Sequence, residues 1–358
     1  MSTVIENRRV EVIGGVDTHK DTHTVAVVDA GVGKLLSTQQ FPATTTGYEQ
    51  VLAWLRSLGQ VVSVGVEGTG SYGAGLTCYL HSQGVTVIEV DRPDRKTRHS
   101  EGKSDPLDAC AAARAVVAQR ATGVPKRRDG QVEALRSLRV ARASAIGQRS
   151  DVKRQIKTLI ITAPAGLREQ LDALGDAKLV AFCADSAPDT TKAADPQVAV
   201  MIALRSLAER HQRLSTEIST LDALITPLVA AINPKLITLN GVGPEVAGQL
   251  LVTAGENPGR VRSEAAFAMI TGTAPLPASS GKTSRHRLNR GGDRQANKAL
   301  HRIVLCRLRW DQRTKDYMDR RIRQGKSKKD IIRCLKRYIA REVYRALQRP
   351  LTVAAQPA

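Results

Sequence analysis

In the stretch GKSDPLDACAAARA, residues 102–115, Asp105 and Asp108 stand three residues apart at the start of an alanine-rich helical run. Residues at i and i+3 share one helix face. Two carboxylates so placed repel each other, and a cation between them removes that cost. Read alone, the pair is also explained as helix N-terminal acids favoured by the macrodipole. Two further acids favour a metal. Asp17 follows the apolar run in GGVD, and Glu67 follows the run in SVGVE. Each closes a segment that reads as a strand, and the glycines flanking Glu67 let a backbone or a phosphate come close. Together the four carboxylates form an oxygen cage suited to Mg²⁺ or Mn²⁺. Two such ions about 4 Å apart can clamp both oxygens of a phosphodiester displacement.

Other polar groups near Asp17 read differently. Asp29 ends the second strand and serves its turn, and Asp21 lies in the link. His19 and His23 are four residues apart, but on a strand–turn segment rather than a helix, so they are not expected to form a zinc pair.

Charge points to the partner. The 358 residues carry 54 Lys and Arg against 34 Asp and Glu, a net charge of +20. Counterion release from phosphates rewards such a surface, which makes nucleic acid the leading partner. From Lys282 to Arg349 there are 23 Lys and Arg against 6 Asp and Glu, so most of the excess sits in one segment. Aromatics are only 3% of the chain, so stacking on aromatic platforms is not expected to dominate binding. Five scattered cysteines without a CxxC pair argue against a zinc ribbon or a disulfide framework and fit a reducing cytoplasm. No apolar signal region opens the chain and no run of 18 apolar residues follows. Neither a signal peptide nor a membrane partner is expected.

Three regions must position these groups. Residues 10–125 alternate β-branched runs with helical segments, in the order hairpin, helix, strand, helix, strand, helix. That order suits a mixed sheet covered by helices. Residues 126–232 read as helical. Leu204, Leu207, His211, Leu214, Ile218, Leu221, Ile225 and Leu228 alternate three and four apart, as in a coiled-coil seam, with His211 setting register. Gln131 to Ile160 is a second helical stretch, able to pair with the first within or between chains. Residues 233–350 read as mostly helical. There, Gly241 and Gly243 in LNGVGPEVAG resemble a helix-hairpin-helix turn, whose backbone N–H groups hold a phosphate without reading sequence. Lys282, Arg285, Arg287 and Arg290, then Arg294 and Lys298 four apart on a helix, are the expected phosphate contacts.

At these residues the chain resembles a known family, the DEDD transposases of bacterial insertion sequences (the insertion sequence 110 family), of the bridge-RNA-guided serine recombinase type. The likeness runs through GVDTHKDTHTVAVVD, VEGTGSYG, KSDPLDA, LNGVGPEVAGQLL and GTAPLPASSGKTSRHRLNRGGDRQANKAL. It implies a RuvC-like, RNase H fold for the N-terminal domain, with Asp17, Glu67, Asp105 and Asp108 as a metal-binding catalytic tetrad. It also implies a coiled-coil linker that supports dimerisation, and a C-terminal transposase domain whose nucleophile maps to Ser280, with Ser279 adjacent. Active sites would be composite between copies. The function implied is cutting and rejoining DNA through a covalent phosphoserine intermediate. The partners implied are double-stranded DNA, a structured guide RNA and other copies of the chain, as a dimer or a dimer of dimers, in the bacterial cytoplasm at the nucleoid. A serine hydroxyl is a poor nucleophile unaided, and the cations that follow it suit the charge developing on phosphate oxygens. The rival readings are a metal-only RuvC-like endonuclease, such as a junction resolvase using water, and a non-catalytic nucleic-acid scaffold.

Overall fold

The computed structural model describes residues 10–90, 104–257, 259–282 and 286–348. The chain divides into two compact units: Met1–Gly130 with Ala254–Phe267, and Gln131–Thr253 with Ala268–Ala358.

The first unit is built on a five-stranded sheet. Strands β1 (Glu11–Thr18) and β2 (Thr22–Asp29) form the expected antiparallel hairpin, with Asp17 opposite Thr24. Asp29 serves its turn as expected, its carboxylate accepting from Gly31 and Val32 N–H. A third strand, β3 (Leu35–Pro42), pairs with β2 and was not legible in the sequence. It is an edge strand, and of LLSTQQFP only Phe41 is buried, so no clean apolar alternation marks it. Helix α1 (Thr45–Leu58) starts where the Thr44 hydroxyl accepts from Gly47 N–H. Strand β4 (Gln60–Glu67) then runs parallel to β1. Helix α2 (Ala74–Ser82), strand β5 (Val87–Val90), parallel to β4, and helix α3 (Asp105–Val117) follow. The strand order is β3-β2-β1-β4-β5.

Period-two alternation splits the sheet's side chains between two faces. Val12, Val16, Val25, Val27, Val64 and Val66 pack with Leu55, Leu76 and Leu80 on the α1–α2 side. Ile13, Ala26 and Val28 pack with Ala109, Cys110 and Ala113 of α3 on the other. Asp17 and Glu67 have the parity of the α3 side.

The second unit is helical. Helix α4 (Gln131–Ile161) and helix α7 (Pro196–Ile232) pack along each other within the chain, with α5 (Ala165–Asp172) and α6 (Asp176–Asp185) joined to the same core. Leu204, Leu214, Ile218 and Ile225 of the expected seam are buried, and His211 is half-buried. Among the described residues α7 is the one helix long and apolar enough, by length and composition, to cross a membrane. Its buried stripe is covered by α4, and its Asp222 pairs with Arg142 of that helix. The chain continues through α8 (Pro234–Ile237), α9 (Pro244–Ala254), α10 (Glu264–Ile270), strands β6 (Pro275–Pro277) and β7 (His286–Leu288), and helices α11 (Arg294–Trp310), α12 (Gln312–Arg323) and α13 (Lys328–Leu347). Leu300, Ile303 and Val304 of α11 and Ile331, Leu335, Ile339 and Val343 of α13 are among the buried apolar residues that hold this end.

Candidate active site

The acids are brought together by two glycines. Gly15 of β1 and Gly65 of β4 are neighbours in the parallel register. A Cβ on Gly15 would lie 2.2 Å from the Ala109 carbonyl oxygen and 2.3 Å from Ala113 N; one on Gly65 would lie 2.7 Å from a Val116 methyl. Helix α3 therefore rests on bare backbone, which requires its alanine stripe, Ala109, Ala112 and Ala113, all buried. This close seat sets the N-terminus of α3, with Asp105 and Asp108 in its first turn, on the face that carries Asp17 and Glu67.

Two residues past each glycine, the strands deliver Asp17 and Glu67. The Thr18 hydroxyl ties the strand ends together by donating to the Glu67 carbonyl at 2.9 Å. Gly68 follows with φ +70, a left-handed turn that a side chain resists. Asp17 is 9% exposed and Asp108 8%; Glu67 and Asp105 are half-buried.

One ligand atom each from Asp17, His19 and Asp105 lies within 4.8 Å of the others. His19 Nδ1 is 3.8 Å from the Asp17 carboxylate. Glu67 and Asp108 are not in this tight group, although they stand on the same side of the sheet. The donor set of two carboxylates and one imidazole fits a divalent cation. His19 is thus the residue the sequence reading set aside. The signal was present in GVDTHKD, where only the β1–β2 turn returns the imidazole toward Asp17. His23 goes elsewhere: it is fully buried and stacks on Tyr48 with ring centroids 5.8 Å apart. Burial, above all, holds the His23 imidazole pKa below its ordinary value.

A further acid nearby is structural. Glu89 of β5 accepts from the Thr69 hydroxyl at 2.7 Å and lies 3.9 Å from the Arg260 guanidinium.

In the second unit the two serines sit in a ribbon rather than a plain loop. Strands β6 and β7 pair antiparallel, Leu276 opposite Arg287, and Ser279 and Ser280 lie in the connection between them. Ser280 is exposed, as are Lys282, Arg287, Arg290, Arg294 and Lys298. Arg285 lies outside the described residues. The ribbon's base is clamped. Thr273 N–H and Ala274 N–H both donate to the Ala268 carbonyl, Asn289 Nδ2 to Met269 O, and Asp293 N–H to Ile270 O. Asn297 Nδ2 donates to the carbonyls of Thr271 and Gly272, and Lys336 Nζ donates to Asn297 Oδ1 at 2.8 Å. Asp293 then caps α11, its carboxylate accepting from Gln295 and Ala296 N–H and from the Thr253 hydroxyl. A hydrogen-bonded base thus carries the exposed Ser280 and Lys282.

The glycine turn expected to hold a phosphate lies between α8 and α9. Gly241 has φ +77 and packs near Ile303 and Cys306, and Gly243 faces open space. Asn240 O accepts from Arg307 Nε at 2.8 Å. Glu245, in the first turn of α9, pairs with Arg139 and Arg142.

Comparison with known proteins finds transposases and insertion-element proteins. Residues 14–162 match the family described as "Transposase", the DEDD type of IS110. Residues 233–319 match the "Transposase IS116/IS110/IS902 family". The "Insertion element IS110 uncharacterized 43.6 kDa protein" of Streptomyces coelicolor is 31% identical over 184 residues, covering 46% of this chain and 44% of that protein. The similarity thus spans less than half of that relative. The "Insertion element IS900 uncharacterized 42 kDa protein" of Mycobacterium paratuberculosis is 23% identical over 359 residues, covering 87% of this chain and 89% of that protein. The first match spans the sheet with its acids and the second spans the serine ribbon, and on those two matches the chain belongs to the IS110 family of DEDD transposases.

Proposed function

We propose that this chain is a DNA transposase that cuts and rejoins strands through a covalent phosphoserine intermediate. The convergence of Asp17, His19 and Asp105 within 4.8 Å carries the reading. The first unit, with its β3-β2-β1-β4-β5 sheet, is read as a RuvC-like, RNase H fold with Asp17, Glu67, Asp105 and Asp108 as its tetrad. These residues, with His19, would hold Mg²⁺ or Mn²⁺. When bound, such an ion supplies charge neutralisation at the scissile phosphate.

The chain's own groups do the rest. Ser280 Oγ attacks phosphorus and gives up its proton. The bond from phosphorus to the 3′ oxygen breaks, and that oxygen leaves as a hydroxyl after taking a proton. The phosphoserine keeps the bond energy for rejoining, when a 3′ hydroxyl attacks and Ser280 leaves. Lys282, Arg285, Arg287 and Arg290 hold the phosphate and stabilise charge on its oxygens. Arg294 and Lys298, one turn apart on α11, and the glycine turn at Gly241 and Gly243 position the DNA backbone. The family likeness supports double-stranded DNA as substrate. A structured guide RNA, a homo-oligomer with the long α4–α7 helices as coiled-coil linker, and work at the nucleoid are part of the same proposal.

The test is a denaturing gel of protein incubated with element-end DNA and Mg²⁺. A protein–DNA adduct is expected in the wild type and absent in Ser280→Ala. Cleavage without any adduct, intact in Ser280→Ala, would establish the water-using endonuclease instead.

A further inference from the structure

The C-terminal helices enclose a cleft that the transposition chemistry does not use. It has a volume of about 1040 Å³ and is bordered by α12, α13 and residues 238–240 after α8. Leu239, Leu335 and Ile339 give it an apolar floor. Two of the chain's few aromatics meet at its wall. Tyr317 and Tyr338 stand edge to face, with ring centroids 5.7 Å apart at 84°. Tyr338 is 47% exposed. The Arg320 guanidinium lies over the Tyr317 ring, 5.4 Å from its centroid.

The charges of the cleft are sorted. Its acids are engaged: Glu342 with Arg307 at 2.8 Å, Asp311 with Thr314 N–H, and Asp316 with the Gln312 amide. Arg313, Arg320 and Arg323 line the same cleft, are exposed, and form no salt bridge among the described residues. Burial, above all, pushes the Tyr317 phenol up to about 12, so it stays neutral. The cleft thus offers an apolar floor, a tyrosine ring that is 47% exposed and has the Arg341 guanidinium 5.8 Å from its centroid, a second guanidinium over the neighbouring ring, and cations without salt bridges among the described residues at its rim.

We propose that this cleft binds an unpaired nucleotide of a single-stranded nucleic acid. A base stacks on the exposed part of Tyr338, the Arg320 guanidinium meets its edge, and Arg313 and Arg323 take the flanking phosphates. A duplex buries its base faces in its own stack and has no such face to offer. The strand is either RNA or DNA displaced from a duplex; the chemistry is shared. The proposal rests on the reading of the C-terminal unit as a nucleic-acid interface and adds a site to it.

The experiment measures fluorescence anisotropy of the full-length protein with three labelled probes. These are a short single-stranded RNA of mixed sequence, the DNA of the same sequence, and a blunt duplex of it. Tyr338→Leu, which keeps an apolar side chain, and Arg320→Ala are each expected to weaken single-strand binding about tenfold. Tyr338→Phe is expected to retain it, and duplex affinity to stay at the wild-type value in all three. Loss confined to RNA, or to single-stranded DNA, identifies the source of the nucleotide. Single-strand affinity unchanged in Tyr338→Leu and Arg320→Ala, or falling equally with duplex affinity, overturns the cleft while the wider interface stands. A wild type that binds none of the probes overturns both.

Discussion

Gly15 of β1 lies directly beneath Ala109 of α3, so close that a single methyl on the glycine would come within 2.2 Å of the Ala109 carbonyl oxygen. That contact, repeated at the neighbouring Gly65, sets the height of α3 above the sheet. It thereby sets the distance between Asp105 and the pair Asp17 and His19. The acids belong to three elements, and the glycines are what make those elements meet.

Gly15→Ala is therefore expected to lift α3. The clash is with backbone, which cannot rotate away, so the cost is that of overpacking, about 1–3 kcal/mol. Chemical denaturation should read this loss, and calorimetric titration should read weaker Mn²⁺ binding. Wild-type metal affinity in a folded Gly15→Ala protein would refute the positioning role of the glycine floor.

His19→Ala is expected to separate the two metals. Imidazole suits first-row transition metals, whereas Mg²⁺ prefers oxygen. Mn²⁺ affinity should fall about tenfold or more with Mg²⁺ affinity little changed, measured by Mn²⁺ electron paramagnetic resonance with Mg²⁺ competition. Equal losses for both ions would remove His19 from the ligand set.

His23 makes stability depend on pH. Its Nε2 is buried without a hydrogen-bond partner among the described residues, and burial, first of all, lowers its pKa from 6.5. The fold therefore favours the neutral ring, and the unfolded chain binds the proton more readily. This group takes nothing from stability above about pH 6.5; below it, stability falls as pH falls, until the folded pKa is passed. The slope is at most about 1.4 kcal/mol per pH unit. His81 and His211 are also lowered, chiefly by desolvation, so the wild type sums several contributions. His23→Phe, which keeps a ring against Tyr48, should show a flatter acid limb than the wild type in urea unfolding from pH 7 to 5. Identical limbs would contradict the assignment.

Asp293→Ala is expected to cost about 1–2 kcal/mol, because it removes the cap of α11 and the partner of the Thr253 hydroxyl. Asp293→Asn, which still caps, should recover most of it. The Asp293 backbone N–H, which the substitution keeps, donates to Ile270 O at the base of the serine ribbon; losing the side-chain cap that fixes this backbone should make adduct yield drop further than stability does in Asp293→Ala. Thermal unfolding and the adduct gel, run together, decide this.

Much of the first unit was legible in the chain itself. The hairpin of β1 and β2, strands β4 and β5 and the helix after Ser104 follow from apolar runs and their punctuation, because burial on one or both faces imposes a period that local sequence must obey. Asp17 and Glu67 stood out because each follows an apolar run, and Asp105 and Asp108 because they stand three apart at the head of an alanine-rich helix, all in a basic chain. Strand β3 did not stand out, because an edge strand with a single buried side chain leaves no such period.

The rest was decided only in three dimensions. His19 looked like a turn residue until the hairpin folded it back to Asp17. Ser279 and Ser280 read as a loop; the ribbon that holds them depends on hydrogen bonds from residues 268–274 to residues 289–297, which no local pattern announces. An aromatic content of 3% gives no sign of an aromatic cleft, but Tyr317 and Tyr338, 21 positions apart in the chain, converge on one cleft lined by Arg313, Arg320 and Arg323. Composition and periodicity are sums over neighbours along the chain, so they determine which segments become strands and helices and what charge they bear. Which distant side chains share a site depends on how those segments pack, and packing is fixed by contacts such as that of Gly15 with Ala109, between residues far apart in sequence.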